Sequence, residues 1–198
     1  VINRIMTIGF FLALLTFSSS WSGTVIDSFR QLAGFAGGSA NINPSNVMDL
    51  GLDVSVKILD GLPSLAPITL VVGSIIALAV FALFTLIAVH LLLILVELWV
   101  TLYAGIIMLA FGGSSWTQSY AINYYKALLG IGAKLFILQL LVGVGITIIT
   151  GWASQLSASR VPDFEELFVI AGGVLALLVL VKGVDGIVSS LINGSPGN

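Results

Sequence analysis

The stretch ITLVVGSIIALAVFALFTLIAVHLLLILVELWVTLYAGIIMLAF runs from Ile68 to Phe111, and its only acidic, basic or histidine side chains are His90 and Glu97. One helix over this stretch would be about 66 Å long at about 1.5 Å per residue, whereas the hydrocarbon core of a bilayer is about 30 Å thick. Length therefore favours two passes. A turn near His90 would be needed, however, and AVHLLLILVEL contains no Gly, Pro, Asn or Ser. The local chemistry favours one long or kinked helix, and both alternatives stay open here.

The composition of the whole chain is that of a polytopic membrane protein. Of its 198 residues 58% are hydrophobic and only 8% charged, against about 25% charged residues in soluble domains. The mean hydropathy is +1.15. We therefore expect an all-α protein with four to five membrane-embedded helical segments plus short amphipathic helices. A net charge of −2 gives no overall basic field that would attract nucleic acid or anionic lipid.

The chain divides into four regions. Residues 1–17 are predicted as a transmembrane helix that is truncated at its N-terminus, because the apolar block Ile5–Phe17 is short for a span unless more turns precede Val1. Residues 18–66 form a polar loop with amphipathic helices. Residues 67–192 form a transmembrane helical bundle, and residues 193–198 a flexible tail.

The polar loop is predicted to contain two amphipathic helices. The first starts with Thr24 as its N-cap and ends before GFAGGSANINP, and the second starts near Asn46. In the second helix one face is apolar and the other is charged; the apolar residues are Val47, Leu50, Val54 and Ile58, and the charged ones are Asp49, Asp53, Lys57 and Asp60. Asp53 and Lys57 stand at i,i+4 in the favourable order.

A polar hinge over residues 112–125 is predicted inside the bundle, with Gly112 and Gly113 ending the preceding helix. Two further spans follow, from Ala127 to Trp152 and from Phe164 to about Ile192. Lys182 and Asp185, at i,i+3, suggest that the last helix runs into water. Short-loop lysines and arginines place the side that holds Lys126 and Lys182 in the cytoplasm.

Several common motifs of nucleotide-binding proteins and hydrolases are missing from this sequence. It contains no GxxxxGK[ST] phosphate loop, no GxSxG nucleophile motif, no cysteine and a single histidine. A single histidine cannot form a two-histidine metal site, and without a GxSxG motif it gives little basis for a serine triad. We therefore predict that the chain is not an enzyme and that it uses no cofactor.

Three ionisable residues within apolar runs are candidates for a polar or subunit-contact role. His90 is either a proton-relay group or a helix residue bonded to a nearby backbone group or hydroxyl. Glu97, two turns further on, is either functional or an interfacial or inter-subunit structural contact. Lys134 either snorkels back to the interface along its own stem or faces a pore or a subunit contact.

Small residues at every fourth position predict a helix-packing surface. Gly143, Thr147 and Gly151 form such a ladder, which lets another helix of the chain or of a second copy approach closely. By itself the ladder does not distinguish packing within the chain from packing between copies.

Several of these positions carry a resemblance to a known family. The relevant motifs are Leu109-Ala110-Phe111-Gly112-Gly113, Trp116-Thr117, Ala121 to Tyr125, Gly132-Ala133-Lys134-Leu135-Phe136 and Gly143-x-Gly145, with Ile8-Gly9-Phe10-Phe11 and Ser28-Phe29 earlier in the chain. Together they resemble the TrbL family of conjugative type IV secretion systems. One departure is Ala110, where that family often has Pro.

The resemblance implies an inner-membrane platform or channel subunit that supports pilus assembly and transfer of DNA or protein substrates. Its implied partners are copies of itself in a ring, periplasmic stalk and pilus subunits, secretion ATPases, membrane lipid and, transiently, the DNA substrate. It also implies a periplasmic loop 18–66 and a cytoplasmic C-terminus. The alternative is a stand-alone transporter or channel, for which Glu97 and Lys134 would be the only candidate pair. Such proteins commonly contain two related halves, and this sequence has no visible internal repeat.

Overall fold

The computed structural model describes residues 2–36, 42–63, 67–111, 117–156 and 164–193. Within these ranges the chain is helical and has no strand. The six helices are α1 (Ile2–Thr16), α2 (Ser18–Phe35), α3 (Pro44–Asp60), α4 (Pro67–Ala110), α5 (Gln118–Leu156) and α6 (Phe164–Asn193). Among them α4, α5 and α6 are long and apolar enough to cross a membrane. The all-α class is confirmed, whereas the predicted four to five membrane-embedded segments are not.

The long apolar stretch that begins at Ile68 forms one uninterrupted helix as far as Ala110. α4 runs for 44 residues from Pro67 to Ala110 and passes through His90 without a turn. The absence of helix-breaking residues around His90 therefore outweighs the length argument for two passes. Since about 20 residues span the hydrocarbon core, α4 is about twice as long as one crossing requires.

Helices α4, α5 and α6 form an antiparallel bundle held by close contacts at glycines. A Cβ atom on Gly105 of α4 would overlap the Tyr124 hydroxyl of α5. A Cβ atom on Gly145 of α5 would stand 2.5 Å from Leu177 Cδ1 of α6, and one on Gly173 would stand 2.6 Å from Trp152. The fully buried side chains between these helices are mostly large and aliphatic, among them Leu91, Leu98, Leu135, Leu138, Ile149, Leu167 and Ile170.

Helix α3 packs antiparallel along the first half of α4. Gly51 lies against Phe84, and Leu62, just after α3, covers Gly73. The buried Ser55 hydroxyl lies 2.7 Å from the Gly51 carbonyl oxygen of its own helix and 3.0 Å from that of Ala77 in α4. The predicted apolar face is confirmed, because Val47, Val54 and Ile58 are fully buried and Leu50 is half-buried. Lys57 donates to Asp53 at 2.8 Å, as their spacing predicts.

The predicted start of the first amphipathic helix is wrong. α2 begins at Ser18 rather than after Thr24, because the Phe17 N–H donates to the Ala13 carbonyl and keeps the chain helical across the junction with α1. The Ser28 hydroxyl then donates to the Thr24 carbonyl at 2.7 Å, so Thr24 lies inside the helix instead of capping it. Further along, the Phe29 ring packs against Gly132 of α5.

The predicted hinge over 112–125 is wrong for residues 118–125. Residues 118–125 belong to the first turns of α5, which begins at Gln118. Gly112 and Gly113, predicted to end the preceding helix, lie outside the described residues. The last predicted span agrees with α6, which begins at Phe164.

Candidate functional site

A lysine ammonium joins three helices in the second half of the bundle. Lys134 of α5 places its Nζ 3.1 Å from Asp185 Oδ1 of α6 and 3.7 Å from Glu97 Oε1 of α4. Its side chain is only 19% exposed. The ammonium therefore reaches across the bundle to two carboxylates, and the predicted contact with a pore or a second subunit stays a prediction.

His90 lies beside the same aspartate. Its Nε2 atom is 3.8 Å from Asp185 Oδ2, which is longer than a hydrogen bond. This nitrogen is buried and has no hydrogen-bond partner within the described ranges. The predicted bond from His90 to a neighbouring backbone group or hydroxyl is therefore not found for Nε2.

We define the charged cluster as His90, Glu97, Lys134 and Asp185. Glu97 and Asp185 are 47% and 48% exposed in the single chain. Ionisable groups in membrane spans are costly to expose to lipid and face a bundle interior, a hydrated cavity or a partner. The exposed parts of the Glu97 and Asp185 carboxylates are therefore expected to contact water or another protein chain.

A cleft of about 530 Å³ opens next to this cluster, between α4 and α5. Glu97 and Lys134 line it from the cluster side, and Asn123 and Lys126 line it nearer to the start of α5. The remaining lining residues are small or apolar, namely Ala127, Gly130 and Ile131.

The predicted helix-packing ladder divides in the structure. Gly143 is buried, and its carbonyl accepts a 2.9 Å hydrogen bond from the Thr147 hydroxyl. Gly151 is exposed, and a Cβ atom there would meet nothing within 4 Å. Within one chain a close approach of α6 occurs at Gly145, two residues after Gly143. A contact between copies at the ladder stays a prediction.

Two polar residues of this region were not predicted from the sequence as part of the site. Asp185 was assigned to a helix end in water, yet it contacts Lys134 and approaches His90. One signal could have marked it, because Val181, Val184 and Val188 form the buried stripe beside which Asp185 lies. Gln139 is 1% exposed, and its Oε1 has no hydrogen-bond partner in the part of the chain that the structure describes.

The acidic and histidine side chains of the cluster do not make a metal site. Among the described residues no group of three or more His, Cys, Asp or Glu side chains is arranged to hold a metal ion. The arrangement links helices by electrostatics: one cation serves two carboxylates on two neighbouring elements.

Three long apolar helices that pack together and share the charged cluster are typical of a polytopic helical membrane protein. Residues 1–184 match the family described as TrbL/VirB6 plasmid conjugal transfer protein. The chain belongs to this family of plasmid conjugal transfer proteins. Asp185 is the first residue beyond the matched range.

Two curated relatives agree with this family. A probable conjugal transfer protein TrbL from Sinorhizobium fredii is 31% identical over 98% of this chain and 50% of the relative's length. A conjugal transfer protein TrbL from Rhizobium radiobacter is 32% identical over 98% of this chain and 49% of its own length. The chain thus spans about half the length of the curated relatives it matches.

Proposed function

We propose that the chain is the membrane-spanning part of an inner-membrane platform or channel subunit of a conjugative type IV secretion machine. Copies assemble into a ring that supports pilus assembly and the passage of DNA or protein substrate. The stalk and pilus subunits contact it from the periplasm and the secretion ATPases from the cytoplasm, where its C-terminus lies. Helix α1 is a further membrane-embedded segment. Family membership supports the conjugative role.

The positions of charged side chains along α4 support the proposal that copies of the chain assemble. Asp53 and Lys57 of α3 lie beside the first half of α4, because α3 contacts α4 between Gly73 and Phe84. Glu97 lies in the second half of α4. Any window of about 20 residues of α4, the length that crosses the hydrocarbon core, therefore includes Glu97 or lies beside the charged face of α3. A lone chain in lipid would expose charge at either position, whereas neighbouring copies or an aqueous lumen would cover it.

The substitution Glu97→Gln tests this proposal, since it preserves the shape of the side chain and removes its charge. If Glu97 makes a subunit contact, blue-native gels of the full-length protein should show weaker oligomers around a folded monomer. If it faces a hydrated passage, assembly should persist and the frequency of DNA transfer in mating assays should fall.

The matched control is Glu166→Gln, an exposed acid in the first turn of α6. It should leave both assays at the wild-type level. Wild-type behaviour of Glu97→Gln in both assays would contradict the proposed role of this carboxylate.

A stand-alone transporter is the second candidate, because Glu97 and Lys134 do meet within the spans at 3.7 Å. The genes next to this one separate the candidates. Neighbouring genes for pilin, secretion ATPases and a lytic transglycosylase support the conjugative subunit, and a gene without such neighbours supports the transporter.

A further inference from the structure

The cleft between α4 and α5 contains one lysine, Lys126, in addition to the Lys134 of the charged cluster. Two lysines and one glutamate line it. Lys134 is engaged by Asp185 at 3.1 Å and by Glu97 at 3.7 Å. Within the described ranges the ion pairs involve Lys57, His90 and Lys134, so Lys126 has no carboxylate partner there. The exposed Lys126 ammonium is available to an anion that enters the cleft.

Exposed aromatic side chains favour a position of this cleft at the depth of lipid headgroups. Trp99, Tyr103 and Tyr120 are exposed around the same end of the bundle, and Trp and Tyr are enriched at membrane interfaces. Trp152 stands 26 positions after Lys126 on the continuous helix α5, which is about 39 Å at about 1.5 Å per residue. A bilayer with its headgroups is about 40–45 Å thick. Lys126 and Trp152 therefore fit opposite interfaces of one bilayer.

The walls of the cleft suit a ligand that is only partly polar. Asn123 and Lys126 present an amide and an ammonium, while Ala127, Gly130 and Ile131 leave a smooth apolar side. These residues lie on a helix whose outward surface is apolar at Ile122 and Leu129. A ligand with an anionic head and a hydrocarbon tail matches both parts.

We propose that this cleft binds the phosphodiester headgroup of an anionic phospholipid. The Lys126 ammonium pairs with the phosphate oxygens, the Asn123 amide donates a hydrogen bond to them, and the acyl chains lie along the apolar surface of α5. Free phosphate shares the oxyanion but lacks the tail, so it gains nothing from the apolar wall. The single positive charge contributed by Lys126 matches the single negative charge of a phosphodiester. Basic pockets between spans bind anionic lipid headgroups in this way.

Lipid retention by the purified full chain tests the proposal. The protein is reconstituted in nanodiscs of equal phosphatidylglycerol and phosphatidylcholine and re-extracted in an uncharged detergent, and the retained lipids are counted by mass spectrometry. We expect phosphatidylglycerol to be enriched in the wild type. Lys126→Gln should lower that enrichment about fivefold, which corresponds to about 1 kcal/mol for one lysine near an anionic surface.

Two further variants separate a site from a diffuse charge effect. Lys57→Gln makes the same change of charge on α3, outside the cleft, and should keep the wild-type enrichment. Ala127→Leu leaves the charge unchanged and narrows the cleft, and should lose enrichment as Lys126→Gln does. Circular dichroism of each variant should show the wild-type helical content.

Each competing explanation gives a different result. Equal loss in Lys57→Gln and Lys126→Gln would overturn the site in favour of general surface attraction. Displacement of the lipid by inorganic phosphate would identify a simple anion site. Displacement by a single-stranded oligodeoxynucleotide, dependent on Lys126, would identify nucleic acid as the ligand. The assay reads neither assembly nor DNA transfer, so its failure leaves the proposed conjugative role standing.

Discussion

At the scale of single residues, the geometry around Lys134 ranks its two carboxylate partners. Asp185 is the nearer one at 3.1 Å and lies within salt-bridge and hydrogen-bond range, whereas Glu97 at 3.7 Å contributes mainly through its charge. Losing Asp185 leaves a largely covered ammonium with one distant partner. Losing Glu97 leaves the shorter contact in place.

Asp185→Asn should therefore destabilise the folded chain more than Glu97→Gln. We expect a loss of about 1–3 kcal/mol for Asp185→Asn, between the values for exposed and buried ion pairs, since the carboxylate is half-exposed. Thermal unfolding in detergent, followed by circular dichroism, measures the difference. In a double-mutant cycle, adding Lys134→Gln should cost less in the Asp185→Asn background than in the wild type. Strict additivity would contradict a direct contact between the two side chains.

At the scale of elements, α2 contacts α5 through an aromatic ring that packs against a glycine. Phe29 of α2 occupies the space in which a Cβ atom on Gly132 of α5 would stand. The two helices can approach closely because glycine leaves that space free. A similar contact between a glycine and a phenylalanine joins α3 to α4, where Gly51 packs against Phe84.

Gly132→Leu should push α2 away from α5. Overpacking of a filled contact costs about 1–3 kcal/mol, so the midpoint of thermal unfolding should fall and amide exchange in residues 18–35 should accelerate. Gly183→Leu is the matched control, because a Cβ atom there meets nothing within 4 Å. Unchanged exchange in α2 of Gly132→Leu would show that Phe29 does not hold this helix.

Periodicity and apolar length were enough to predict the long helices, and local turn chemistry was not enough to place every boundary. The continuity of α4 follows from the absence of breakers around His90, and the inner face of α3 follows from Val47, Val54 and Ile58. The start of α2 was misplaced because a polar Ser-rich run reads as a loop, whereas in the fold the helix simply continues through it.

The candidate site was predictable only in part, for the same kind of reason. Glu97 and Lys134 stand out because each interrupts an apolar run. Asp185 does not stand out, because Lys182 lies three residues before it on the same helix and would suffice as its ion-pair partner. Only the packing of α6 on α5 turns its carboxylate toward Lys134. Contacts between helices distant in sequence are not encoded in local spacing.

At the scale of the whole molecule, the open face around Gly151 is a candidate surface for a second copy. The Cβ atom of Gly151→Leu would stand in open space in the single chain, because no described atom lies within 4 Å of it. If the predicted ladder packs against another copy, this variant should stay folded and lose oligomers on blue-native gels. Gly183→Leu, equally open but off the ladder, should assemble normally. Normal assembly of Gly151→Leu would remove the ladder from the interface.

The proposed orientation places the C-terminal end of α3 outside the cell membrane and the start of α5 inside it. Since the chain has no cysteine, single substitutions Asp60→Cys and Ser119→Cys report on these two exposed positions. An impermeant thiol reagent, admitted through the outer membrane, should label Asp60→Cys while the inner membrane is intact. It should label Ser119→Cys only after that membrane is broken. The reverse pattern would show that the orientation is inverted.

Assembly of identical copies is the central claim, and it is tested most directly by cryo-electron microscopy of the full-length protein in mild detergent. The same preparation should come from cells whose DNA transfer the protein restores. We expect a closed ring in which Glu97 and Asp185 are covered by a neighbouring copy or face a hydrated lumen. A monodisperse monomer from cells with full transfer activity would contradict the claim.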